Sequence, residues 1–345
     1  MRGDLVVDLF SHEKVSVVAE IGINHGGSLD QAYALVDSAV AAGAQYVKFQ
    51  LHNLVDEMSS EAKFISPGND DRSIYDVIKM ESKLTSNDLR KLKEYTEERG
   101  ALFICTPFSR SALFELLDIG IKVLKIGSGE ISNIPFLELV SHAALPTIFS
   151  TGMHGFGDIE TAAKVLGRRD PNLAMLHCTN LYPSSSYPLR INGISQLIDF
   201  FPKVTIGYSD HSGDLFAPYL AIGRGAKIIE VHYTDDYDRW GPDVKASLDQ
   251  RKFSELKHFA EVADFHLPGD VEPLAEEAVT ADFALCSVVA LVDLTAGDLL
   301  TSDNCFPMRP GTGEIRGKDY AQILGKLVAG PVKAMTQIKW QDIED

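Results

Sequence analysis

Eight short β-rich runs recur along the chain, and most are followed by a stretch of helical period. They are VSVVAEIG (15–22), YVKFQLH (46–52), LFICTPF (102–108), VLKIGSG (123–129), PTIFSTG (146–152), LAMLHCTN (173–180), KVTIGYSDH (203–211) and AKIIEVHYT (226–234). Between them, SLDQAYALVDSAVAAG (28–43) predicts an amphipathic helix with Ser28 as N-cap and Gly43 as stop. SRSALFELLDIG (109–120) predicts another, with Leu113, Leu116 and Leu117 at helical spacing. Strands alternating with helices over some 260 residues read as a closed parallel barrel. A doubly wound open sheet is the rival. It usually opens with a glycine-rich phosphate loop after its first strand, and EIGINHGG does not match GxGxxG. The expected fold class is α/β: a (β/α)8 TIM barrel over residues 1–264.

After residue 264 the character changes. DFHLPGDVEPLAEEAV is acidic and punctuated by Pro and Gly, so 265–280 reads as a linker. Residues 281–345 alternate short β-type runs with turns and offer one short helix in GKDYAQILGKLVAG. A β-rich domain of that size is too small to enclose a large pocket alone.

Charge narrows the choice of partner. With 49 acidic against 32 basic residues the net charge is −17, which argues against nucleic acid and anionic membrane surfaces. A small anionic substrate remains open, since a pocket can be locally positive inside an acidic protein. The four cysteines, Cys105, Cys178, Cys286 and Cys305, form no CxxC pair, and a reducing cytoplasm suits them. MRGDLVVDLFSHEK is a poor signal peptide, and no apolar run approaches the roughly 18–20 residues of a membrane span.

Polar residues gather where the predicted strands end: Glu20, Lys48, Gln50, Thr106, Lys125, Ser128, Ser150, Asn180, Ser209, His211 and His232. In a parallel barrel those ends converge on one face, the face that carries active sites. His211 and His232 close consecutive strands, which lie about 4.8 Å apart, so both rings can reach a single ion, with Glu20 and Asp210 nearby. Two nitrogens with oxygen ligands suit Mn2+ or Mg2+ better than a closed zinc site. The competing account is two packed core histidines. Lys48 and Lys125, beside Thr106, Ser128, Ser150 and Ser209, look like a cradle for phosphate or carboxylate, because buried lysines are costly without an anion. GSG at 127–129 adds backbone N–H groups. Alternatively each lysine snorkels to solvent. Glu20 is placed to relay a proton or to pair with a lysine. His25 reads as an incidental loop residue and His177 as a packing residue.

With these residues assembled, the chain resembles the sialic acid synthases along nearly its whole length. The matching stretches are AEIGINHGG, VKFQ, CTPFS, LKIGSGEI, STGM, LHCTNLYP, GYSDHS, IIEVHYT, GPDVKASL and MRPGTG. The resemblance implies a transferase that condenses phosphoenolpyruvate with N-acetylmannosamine or a related amino sugar to a nine-carbon 2-keto acid, releasing phosphate. It implies a TIM barrel followed by a small antifreeze-like (SAF) domain, in a domain-swapped homodimer. Glu20 would be the acid–base residue, and His211 and His232 would ligate a divalent metal, Mn2+ foremost, with Mg2+ or Co2+ as alternatives. Lys48, Thr106, Lys125, Ser128, Ser150, Asn180 and Ser209 would hold phosphoenolpyruvate. Gln50, Tyr182 and Asp243 would face the sugar, and Arg309 in MRPGTG would reach its acyl group across the dimer.

There are departures. Where the family commonly reads EKH and PDHKAS, this chain has Val231 and Val244, and DFALCSVV lacks paired arginines. These changes are expected near the sugar end of the site and its covering domain. Legionaminic or pseudaminic acid synthases and users of sugar phosphates share the same motifs. A sugar-binding barrel without activity, serving polysaccharide assembly, is the reading from another class.

Overall fold

The computed structural model describes residues 4–68, 70–167 and 172–344. The chain divides into two units, Met1–Pro268 and Gly269–Asp345.

The first unit is a closed barrel of eight parallel strands: β1 Ser16–Gly22, β2 Tyr46–Leu51, β3 Leu102–Pro107, β4 Leu124–Ile126, β5 Thr147–Ser150, β6 Leu173–Cys178, β7 Thr205–Asp210 and β8 Ile228–Tyr233. Each pairs with the next in sequence, and β1 also pairs with β8, which closes the ring. A two-residue strand, β9 Ser247–Leu248, lies alongside β8. The expected TIM barrel is the observed one.

Strand alternation sorts the side chains. Val18, Tyr46, Leu102, Ile104, Val123, Ile148, Ala174, Leu176 and Ile228 make one buried apolar cluster, while Val17, Ala19, Ile21, Val47 and Phe49 belong to another that includes the helices. Two residues further along β1 and β2, on the face of Val18 and Tyr46, come Glu20 and Lys48. Closure therefore stacks an apolar layer beneath a polar one. Gly207 is required by this interior, because a Cβ there would collide with the Ile228 carbonyl and the Leu176 side chain.

A helix at Leu5–Leu9 ends in Leu9 and Phe10, both buried in the inner cluster. The expected helices are present with their caps. Ser28 accepts from Gln31 N–H at the start of Leu29–Ala41, and Ser109 accepts from Ala112 N–H at the start of Arg110–Ile119. Gly120 closes the latter in the left-handed region at φ 76°. β4 is shorter than its sequence run because Ser128–Glu130 turns into a 3-10 helix, bending the chain at the strand's end.

The barrel's last helix is Gln250–His266, two residues past the boundary that composition suggests. Part of the acidic segment beyond it is helical, over Ala275–Glu277 and Ala278–Ala284. The second unit carries β10 Ser287–Ala290 antiparallel to β11 Cys305–Met308, and a short helix at Tyr320–Ile323. Its core gathers Val288, Ala290, Leu300, Ile315, Val328 and Ile338. Among the described residues no helix is long and apolar enough to cross a membrane.

Candidate active site

Register decides which strand-end residues meet. Glu20 lies opposite Lys48 on one side and His232 on the other, Gln50 opposite Thr106, and Ser209 opposite Glu230. These side chains surround a cavity of about 440 Å3, a size typical of small-molecule sites. Every residue assigned to the site from sequence lines it, Ser128, Ser150, Asn180, Tyr182, His211 and Asp243 included, except Arg309. Arg309 is an exposed residue of the second unit, just past β11.

The two lysines are almost fully buried and cross-braced by carboxylates. Lys48 Nζ lies 2.8 Å from Glu20 Oε2 and 3.7 Å from Glu230 Oε1, and Lys125 Nζ lies 3.4 Å from that same Glu230 oxygen. Lys48 also donates to Thr106 Oγ1 at 3.3 Å and Lys125 to Ser150 Oγ at 2.8 Å. Burial pushes the Lys48 ammonium down, but Glu20 and Glu230 outweigh it and leave its pKa raised. Lys125 is lowered, chiefly by burial. For Glu230, burial is outweighed by Lys125 and Lys48, which hold its carboxyl below the usual range. Glu20 goes the other way: burial raises it, Lys48 opposes, and the Glu230 charge adds to the rise. Two buried lysines and two buried carboxyls thus share one end of the cavity.

The two histidines stand together with ring centroids 5.4 Å apart. Tyr182 stacks on His211 at 4.1 Å and meets His232 edge-on at 5.8 Å. His211 Nδ1–H donates to the Thr179 carbonyl at 3.0 Å, so its Nε2 keeps a free lone pair. Burial lowers His211 to about 4 and drives His232 well below its ordinary value, so both rings are neutral, the form that binds metals. His232 Nδ1 is buried without a hydrogen-bond partner, 3.7 Å from Asp243 Oδ2. Burial, aided by Glu20, raises Asp243 to about 7. Two neutral imidazoles, one of them with an orphaned nitrogen, fit a divalent cation. Among the described residues no three His, Cys, Asp or Glu side chains form a complete cation cage, so such an ion would take further ligands from water or substrate.

Asn180 is held from behind. The Cys178 thiol, kept protonated by burial that lifts it to about 12, donates to Asn180 Oδ1 at 2.7 Å. That leaves the Asn180 NH2 free to donate elsewhere. Gly152 N–H donates to Ser128 Oγ at 3.0 Å, and a Cβ on Gly152 would strike the Asn180 side chain.

Some residues do not join the site. Asp210 alternates outward, its Oδ2 accepting from the Ser212 hydroxyl at 2.7 Å. Val231 points into the shell between barrel and helices, and Val244 is buried beside the cavity without lining it. Neither side chain lines the cavity, although Val244 directly follows Asp243, which does. His25 is buried and its Nδ1 accepts from Gly27 N–H at 3.0 Å. His177 donates to the Leu189 carbonyl at 3.1 Å and lines a separate cleft.

Other cavity residues were not assigned from sequence: Glu230, His52 and Glu57. Glu230 precedes His232 by two, and His52 follows Gln50 by two. A period of two along β8 and β2 was the available signal.

Comparison with known proteins agrees with this fold. Residues 35–267 match the NeuB family and residues 287–344 the SAF domain. N,N'-diacetyllegionaminic acid synthase of Campylobacter jejuni is 32% identical over 91% of this chain and 96% of its own. The Legionella pneumophila protein of the same name is 32% identical over 95% of this chain and 94% of its own. The crystal structure of N-acetylneuraminic acid (sialic acid) synthetase from Leptospira borgpetersenii, in complex with citrate, superimposes with TM-score 0.70 at 32% identity, covering 78% of this chain and 91% of that one. The chain belongs to the NeuB family of sialic acid-type synthases and carries a SAF domain after its barrel.

Proposed function

We propose that the protein condenses phosphoenolpyruvate with an N-acetylated amino sugar, N-acetylmannosamine or a diacetamido relative, to a nine-carbon 2-keto acid with release of phosphate. The observation that carries this reading is one cavity in which two buried lysines face a carboxyl raised by burial, beside two neutral imidazoles. Lys48 and Lys125, with Thr106, Ser128, Ser150, Asn180 and Ser209, would bind the phosphate and carboxylate groups. Two buried ammonium groups beside hydroxyl and amide donors suit an anion there.

In the condensation C3 of phosphoenolpyruvate bonds to the sugar's aldehyde carbon, leaving C2 cationic. Water adds at C2, and the C–O bond to phosphate then breaks. Lysine and hydroxyl donors would stabilise charge on the departing phosphate. Glu20, whose carboxylate burial makes more basic, would in its ionised form take the proton that the adding water releases. His211 and His232 would hold Mn2+, with Mg2+ or Co2+ as alternatives. Such an ion supplies Lewis acidity at the sugar's carbonyl oxygen when bound. Tyr182 and Asp243, with Gln50 beside Glu20, would face the sugar, and Arg309 of a partner copy in a domain-swapped homodimer would reach its acyl group.

The test is phosphate release from phosphoenolpyruvate with Mn2+, offering N-acetylmannosamine and its diacetamido and phosphorylated relatives separately. Release with one acceptor, lost in EDTA and restored by Mn2+, supports the reading and names the sugar. No release and no phosphoenolpyruvate binding would overturn it in favour of a non-catalytic sugar-binding barrel.

A further inference from the structure

A chain of hydrogen bonds leads outward from Glu20. Gln50 Nε2 donates to Glu20 Oε1 at 2.7 Å, Gln50 Oε1 lies 3.1 Å from His52 Nε2, and His52 Nδ1 lies 3.0 Å from both oxygens of Glu57. The His52 ring is clamped on its other side by Phe108, stacked at 4.3 Å and 11°. His52 and Glu57 side chains are only 3% and 9% exposed.

With the Gln50 NH2 turned to Glu20, the proton positions along this chain follow. Glu20 Oε1 accepts from the amide NH2 of Gln50, so the carbonyl oxygen of that amide faces His52. A carbonyl only accepts, so His52 Nε2 must carry hydrogen. Glu57 meets Nδ1 with both carboxyl oxygens at 3.0 Å. With Oε1 committed as an acceptor, a proton carried by Glu20 can sit only on Oε2. That oxygen is buried, has no hydrogen bond of good geometry, and lies 2.8 Å from Lys48 Nζ inside the cavity.

We propose that His52, anchored by Glu57, is a positioning residue: its Nε2–H locks the Gln50 amide, and the locked amide confines Glu20's exchangeable proton to Oε2, on the substrate side. Without the His52 donor the amide is free to turn over. Its carbonyl would then face Glu20 and draw the proton to Oε1, away from the reacting atoms. Gln50 thus serves Glu20 before it serves any sugar. Leu54–Glu57, the short helix after β2, exists in this arrangement to bring Glu57 back onto His52.

The catalytic half of this inference rests on the function proposed above, so the experiment separates the two. In the full-length metal-loaded protein, His52→Leu removes the donor, while His52→Gln restores an N–H toward Gln50. His52→Leu is expected to lower kcat roughly 10- to 100-fold with the phosphoenolpyruvate KM unchanged. His52→Gln is expected to keep the greater part of turnover. Wild-type kcat in His52→Leu, or equal losses in both variants, would overturn the proposal, the latter by reducing His52 to a space-filling role. The second readout needs no activity. In the 15N spectrum of histidine-labelled protein, His52 Nε2 should be of the protonated type at neutral pH, and an unprotonated Nε2 would overturn the proposal. If the wild type turns over no sugar, the functional reading fails and the ring-nitrogen spectrum still decides the hydrogen-bond chain.

Discussion

At the scale of single residues, the barrel mouth is governed by buried groups whose charges are set by their neighbours. Glu230 stays ionised because two ammonium groups outweigh its burial, whereas burial, aided by Glu20, raises Asp243 to about 7 against the pull of Lys48. His25 shows the same physics outside the cavity. Burial, reinforced by the charge of His52, lowers it from 6.5 to about 4. A histidine depressed in this way is neutral in both folded and unfolded chains above its ordinary pKa. As pH falls through 6.5 the unfolded chain takes up the proton first, so stability declines until the folded form also protonates near pH 4. A shift of that size corresponds to about 3 kcal/mol. His25→Asn keeps an acceptor for Gly27 N–H and should remove that much of the decline between neutral pH and pH 4 in urea unfolding. An unchanged pH slope would sink the assignment. The strand-end donors and both imidazoles were legible because polar residues in apolar runs stand out. Glu230 and His52 were missed although they obey the same alternation. They sit beside more conspicuous residues, and their value lies in contacts across strands. The hold of Cys178 on Asn180 and the stacking of Tyr182 on His211 depend on register and loop return, which no local pattern encodes.

At the scale of elements, the strands follow from their apolar runs and the helices from their caps, so Ser28, Ser109 and Gly120 stand where the chain placed them. β4 is the exception. GSG extends the apparent run, yet Ser128 leaves the ladder to form the 3-10 turn that bears on Asn180 and Gly152. The segment before β1 was the larger omission. Its five-residue helix is too short to show a reliable period, and only closure of the barrel creates the apolar space that Leu9 and Phe10 fill. That space lies beneath the layer bearing Glu20 and Lys48, so packing there supports the level of the polar ring. Leu9 is fully buried, and Leu9→Ala should cost about 2–5 kcal/mol in denaturant unfolding. A loss near zero would mean that this helix docks without contributing to the barrel's stability.

At the scale of the whole molecule, the barrel brings together every assigned site residue but Arg309, which the second unit carries. The resemblance accounts for such a division if two copies exchange their small domains, so that each barrel is completed by its partner's Arg309. That arrangement makes a prediction no single-chain site would share. Arg309→Ala alone should raise the sugar KM while sparing the phosphoenolpyruvate KM, and His211→Ala alone should abolish metal-dependent turnover. Neither homodimer would then work well at low sugar concentration. Unfolding and refolding the two variants together would create mixed dimers in which one barrel retains His211 and receives an intact Arg309 from the other copy. Activity at low sugar should reappear in the mixture with wild-type sugar KM, up to about a quarter of wild-type sites if pairing is random, because half the dimers are mixed and each holds one complete site. A single-chain site would give only the average of the two parents. Sugar kinetics unaltered by Arg309→Ala would remove the small domain from the chemistry altogether.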